Sequence, residues 1–175
     1  MIHVGILLTR SGMLADMKRL LLVLAACGGS SAPPAKPADP ITAPAQAKLL
    51  VLVDAQGVGL GGHDPVSYTK GEPLAGSSDG ASRFGGATYH FVSTDNKTAF
   101  DADQAKFAPG FGGYCAYAAA QNRLSVADPK VFVIHEGQLL VFTNEDYKQR
   151  FEADPKGHKA KADANWPGLV ARHGT

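Results

Sequence analysis

Residues 86–103, GATYHFVSTDNKTAFDAD, return 51 positions later as residues 137–154, GQLLVFTNEDYKQRFEAD. Aligned without a gap, the copies share Gly86/Gly137, Phe91/Phe142, Asp95/Asp146, Lys97/Lys148, Phe100/Phe151, Ala102/Ala153 and Asp103/Asp154. Seven identities in eighteen positions mark a repeated structural unit. Each copy has the same local logic. Short β-favouring runs flank a turn, Ser82–Phe84 and Ala87–Val92 around Gly85-Gly86, then Val131–His135 and Gln138–Phe142 around Glu136-Gly137, which spells a hairpin. Capping residues follow, Ser93-Thr94 and Thr143-Asn144, with acids suited to a helix N-terminus. A short helix then ends near Ala-Asp, its phenylalanine, Phe100 or Phe151, anchoring it to the hairpin. Asp103 and Asp154 organise the helix exit as short acids do in turns.

Working outward, the alanine-rich run after Pro109-Gly-Phe-Gly-Gly-Tyr-Cys115 predicts a central helix beginning near Gly112 or Gly113, with Cys115 in its first turn. A last helix passes Lys159 and Ala164 and is expected to stop at Trp166-Pro167. The fold class is therefore α+β: a small antiparallel sheet from two pseudo-repeated β-hairpin–helix units, plus the central Ala-rich helix and a C-terminal helix.

The first 48 residues are of another kind. Met17-Lys18-Arg19 precedes the apolar run Leu20–Ala26, the parts of an export signal, and Met1, Met13 or Met17 could start translation. Seven apolar residues cannot span a bilayer. Leu24-Ala25-Ala26-Cys27 resembles a bacterial lipobox, which implies lipidation at Cys27 and a periplasm-facing envelope lipoprotein. Gly28 after the cysteine fits outer-membrane sorting in a diderm bacterium. Residues 28–48 hold five prolines and no aromatic residue, the composition of an extended tether reaching about 60 Å. Residues 1–27 thus form the signal and lipobox segment, 28–48 the tether and 49–175 one domain. A formal charge of +1 with scattered basic residues gives no stripe for nucleic acid, so the expected partner is the membrane, through the lipid anchor.

With Cys27 acylated or removed, Cys115 has no partner for an internal disulfide. It is either a thiolate activated by a helix start, as in a thiol-dependent redox enzyme, or a small buried hydrophobe. His63 and His90 could join Cys115 around copper or zinc; otherwise they are a loop and a strand histidine. His135 and His158 are expected to be solvated. Asp64, Tyr68 and Tyr89 could line a polar pocket. Gly57-Val-Gly-Leu-Gly-Gly62 satisfies a dinucleotide-binding pattern, but His63-Asp64-Pro65 follows where a helix is required, so it reads as a bend.

Tyr89-His90-Phe91-Val92-Ser93, with Asp64-Pro65-Val66, Phe100, Asp103–Phe107, Gly112–Tyr117 and Lys161–Pro167, resembles the YHS domain, in particular an exported bacterial subgroup of YHS (seleno)proteins. The resemblance spans roughly residues 54–170. It implies a small domain suspected of binding soft metals through thiols. The positions matching those thiols hold Ser67, Val92 and Asn96, so a thiolate site is not carried over. The expectation is a lipid-anchored, non-catalytic envelope protein that binds a metal ion or small ligand. The alternatives are a redox enzyme using Cys115 and a purely structural or partner-binding lipoprotein.

Overall fold

A computed structural model describes residues 47–175; the expected signal, Cys27 and the tether up to residue 46 lie outside the described residues. Among the described residues nine strands and α-helices follow in order: β1 (Ser77–Phe84), β2 (Ala87–Phe91), α1 (Thr94–Ala102), α2 (Gln104–Phe107), α3 (Ala116–Ala120), β3 (Asp128–His135), β4 (Gln138–Phe142), α4 (Glu145–Glu152) and α5 (Pro155–His173). The fold is α+β. Its strands form two separate two-stranded antiparallel sheets, β1-β2 and β3-β4, rather than one shared sheet. Among the described residues no helix is long and apolar enough to cross a membrane.

The 51-residue offset holds in three dimensions. Both hairpins close through two-residue loops in which Gly85-Gly86 (φ 57° and 87°) and Glu136-Gly137 (φ 51° and 81°) are left-handed, as the twist of a tight hairpin requires. Ser93 Oγ accepts the Asn96 amide at 3.1 Å to start α1, and Asn144 Oδ1 accepts the Tyr147 amide at 2.9 Å to start α4. Asp103 and Asp154 adopt nearly the same backbone (φ −151°, ψ 74° and 73°) and cap the next helix through the amides of Lys106 and Gly157. Ring packing also matches. Phe91 meets Phe100 at 5.2 Å between centroids and 54°, and Phe142 meets Phe151 at 5.2 Å and 55°. Phe84 and His135 fill the same place, edge-on to Phe100 and Phe151 at 6.5 and 5.9 Å.

The duplication extends well upstream of the hairpins. Leu60-Gly61-Gly62 and Phe111-Gly112-Gly113 make the same left-handed turn, with φ of 52°, 56° and 79° against 52°, 56° and 81°. The next residues pair alike: His63 bridges Ala75 as Tyr114 bridges Val126, and the Asp64 amide donates to Leu74 O (2.8 Å) as the Cys115 amide does to Ser125 O (3.0 Å). The domain is thus two copies of turn, hairpin and helix, with Asp64 and Cys115 in corresponding seats.

Two expectations change. The left-handed glycine turn holds residues 111–113 outside α-helical geometry, so α3 begins at Ala116 and Cys115 precedes it instead of lying in its first turn. Pro167 does not end the last helix. In the first unit the corresponding helix, α2, is one turn long because Pro109 follows it, whereas α5 runs to His173 straight through Pro167. Proline costs α5 one backbone bond, on exposed residues. That cost is offset by burial of Leu169, by Asn165 Nδ2 donating to Ala119 O and Ala120 O (3.0 and 3.1 Å), and by Arg172 reaching Asn122 Oδ1 at 2.8 Å.

The leading segment, residues 49–53, lies across both units. Its Leu49 exchanges two backbone hydrogen bonds with Thr175, both 2.9 Å, and the Leu52 amide donates to Gly112 O at 2.8 Å. Leu49 and Val51 also close over Gly86, at the tip of the first hairpin.

Candidate functional site

Asp64 is wholly buried and forms the hub of the first unit. Its Oδ1 accepts the Val66 amide at 2.8 Å; its Oδ2 accepts the Val92 amide at 3.0 Å and Asn96 Nδ2 at 2.7 Å. Its carbonyl accepts Ser67 Oγ at 2.7 Å, and the same Oγ accepts the Leu74 amide at 3.1 Å. Ser67, Val92 and Asn96 therefore gather around one residue. The three positions at which the resemblance implies sulfur are one place in space, held here by an internal oxygen-and-amide network. A buried carboxyl needs such partners, and both of its oxygens are committed to them.

The remaining sequence candidates separate. Asp64, Tyr68 and Tyr89 do not line a shared polar pocket. Tyr68 points its hydroxyl at Pro129 O (2.9 Å) with its ring edge-on to Phe132, while Tyr89 packs on Phe100 at 5.2 Å. Burial raises the Tyr68 pKa well above the usual phenol range, helped by the charges of Asp128 and Asp64, and burial pushes Tyr89 up to about 12. Both phenols keep their protons at neutral pH.

His63 and His90 flank the same glycine turn, their Nδ1 atoms 3.8 and 3.7 Å from where side chains on Gly61 and Gly62 would begin. His63 Nδ1 is 2.9 Å from Leu60 O. Cys115 belongs to the second unit, paired with Val141 and wholly buried. Among the described residues no group of three or more His, Cys, Asp or Glu side chains is placed to hold a metal ion, so His63, His90 and Cys115 do not fit copper or zinc as one set. Cys115 caps no amide and has no solvent-facing atom through which a substrate could reach it. In the Cys27→Ser chain, native protein is therefore expected to resist alkylation at Cys115, with labelling appearing only on unfolding; rapid modification of Cys115 in that folded chain by iodoacetamide would contradict this burial.

His135 and His158 are half-buried rather than solvated. His135 takes the seat of Phe84, its Nε2 buried without a partner, and His158 stacks between Tyr117 and Phe151 at 5.2 and 6.0 Å. The +51 partner of His135 is an aromatic ring, the signal from which its burial could have been read.

Among the concave surfaces of the described residues, two differ sharply in chemistry, and neither is singled out by the sequence. One is an apolar cleft of about 220 Å³ between the glycine turns of the two units, lined chiefly by Leu52, Val58, Leu60, Val126, Pro129 and Val141. Asp54 stands at its side, but its Oδ1 is occupied by the amides of Gln56 and Val58 (2.9 and 2.8 Å). The other is a polar groove on the second unit. Comparisons of the chain with protein-family models, curated proteins and solved structures found no match.

Proposed function

We propose that the chain is a lipid-anchored envelope protein whose YHS-type domain is a non-catalytic binding module, and that its ligand is a small apolar molecule held in the cleft between the two units. The cleft carries this reading. It is smaller than the roughly 300–1,000 Å³ of a typical ligand pocket and larger than the ~150 Å³ cavity that takes up benzene, a size for one ring and its substituents. Its lining is chiefly aliphatic groups and glycine backbone, and its one carboxyl, Asp54, has Oδ1 engaged by the turn beside it. A metal ion is the weaker choice of ligand because among the described residues no three ligating side chains gather at one place. Redox catalysis through Cys115 is weaker still, because the thiol is enclosed. The lipobox-like Leu24–Cys27 and the proline-rich tether support placement at a membrane surface.

The test uses the full chain carrying Cys27→Ser, so that no acyl group competes, titrated with indole and toluene and followed by methyl NMR. Saturable shifts are expected at Val58, Leu60 and Val141, and these should vanish in Val126→Trp, which plugs the cleft from an exposed rim position. Absence of saturable shifts, or shifts indifferent to the plug, would remove the proposal.

A further inference from the structure

We infer that the polar groove on the second unit binds a small monoanionic ring compound, a carboxylate borne on an aromatic or sugar ring. The groove is lined by Tyr117, Gln121, Arg123, Tyr147 and Arg150, with a volume of about 490 Å³, within the usual ligand range of roughly 300–1,000 Å³. Tyr117 and Tyr147 stand 5.3 Å apart between centroids at 59°, and His158 packs edge-on to Tyr117 at 5.2 Å, so the rings are set before any ligand arrives. Arg123 donates from Nη2 to the Tyr147 hydroxyl at 2.9 Å and lies 5.7 Å from that ring's centroid. Arg150 is held by Asp146, Nε to Oδ2 at 2.9 Å, and this pairing, with Tyr117 beside it, keeps its guanidinium above the ordinary arginine pKa.

A guanidinium carries five N–H donors in a planar fork, so both arginines keep donors beyond the contacts that orient them. Among the described residues Arg123 has no carboxylate partner. Two guanidinium groups beside one carboxylate, Asp146, leave a single net positive charge, which suits a carboxylate better than a dianionic phosphate. The ring requirement comes from the tyrosine faces, which a bare anion would leave uncovered.

The internal duplication supplies independent support. Fifty-one residues earlier the first unit carries Val66, Lys70, Glu72, Asn96 and Ala99 in place of Tyr117, Gln121, Arg123, Tyr147 and Arg150, with Asn96 and Ala99 on α1 as Tyr147 and Arg150 are on α4, and a short 3-10 turn at Ser67–Lys70 where the second unit has α3. The first unit builds its glycine turn, hairpin and capped helix with no tyrosine and no arginine at these places. The turn, hairpin and helix do not demand this set, and the groove is an addition made to one copy alone.

The experiment titrates the full Cys27→Ser chain with benzoate, glucuronate, acetate and inorganic phosphate, read by calorimetry and by the Gln121 side-chain amide resonance. Benzoate or glucuronate should bind at roughly millimolar or tighter, ahead of acetate and phosphate. Arg123→Gln and Arg150→Gln should each weaken that binding by about tenfold or more. Both residues are exposed, and unchanged thermal unfolding would show the variants folded. Phosphate binding ahead of the ring acids, acetate binding equal to benzoate, affinity unchanged in both arginine variants, or no saturable binding would each overturn the inference. The Val126→Trp plug leaves this groove untouched, so failure here and failure of the apolar cleft are separable.

Discussion

Asp64→Ala is expected to destabilise the domain by about 3–5 kcal/mol, measured as a drop in the urea midpoint at unchanged slope. The substitution removes one buried side chain but orphans three donors, the Val66 and Val92 amides and Asn96 Nδ2. An unsatisfied buried donor costs about 1–3 kcal/mol, and partial relaxation keeps the total below the full sum. Asp64→Asn, which retains one acceptor oxygen, should lose clearly less. The corresponding seat in the second unit shows why the environment decides the outcome. Cys115 occupies it with no such network, because the partners differ too: Ala118 stands for Ser67 and Tyr147 for Asn96. The backbone tolerates an apolar side chain there once the donors are gone, whereas alanine at position 64 leaves them in place. A loss below about 1 kcal/mol would mean that the hub does not hold the turn, β2 and α1 together.

The second large effect is at a glycine. In Gly112→Ala the new Cβ would lie 2.1 Å from Leu50 O, inside any permissible contact, on a backbone already left-handed at φ +56°. Left-handed backbone alone costs an alanine about 1–2 kcal/mol. Gly137→Ala should show only that amount, since its Cβ meets nothing within 4 Å at φ +81°. Gly112→Ala must in addition push the leading segment off the second unit, for a total above about 4 kcal/mol or outright failure to fold. Gly61→Ala, meeting the flexible Pro129 ring at 3.3 Å, should fall between them. Thermal melts of the three variants read the order directly, and equal losses at 112 and 137 would refute the close approach.

The hairpin-and-helix half of each unit was legible because its anchors are chemically alike: glycine at the turn, phenylalanine on the strand and helix, aspartate at the exit. The turn half was not. Only Gly59/Gly110, Gly61/Gly112 and Gly62/Gly113 recur there, and the side chains that follow solve the same packing problem by opposite means, a polar network at Asp64 and an apolar fill at Cys115. The dinucleotide-like pattern ending at Gly62 was rightly a bend, yet its duplicate at Gly110–Gly113 passed as a helix start, which displaced Cys115 by a turn. Pro167 misled because local preference was outweighed by the burial of Leu169 and the Asn165 contacts. Neither concave surface has a linear signature. The cleft is made of aliphatic residues from opposite units, and the groove's arginines and tyrosines come from two helices and a loop spread over thirty-four positions.

The leading segment from Leu49 to Val53 has a mechanical consequence. If the domain hangs from a membrane, any pull enters through this strip, which is hydrogen-bonded to Thr175 and Gly112 and closes over Gly86. Tension entering from the N-terminal side would reach the Leu49 bonds to Thr175 before the Leu52 bond to Gly112. Under load the first thing to part would be the strap joining the two halves, while each half's own interior stayed shut.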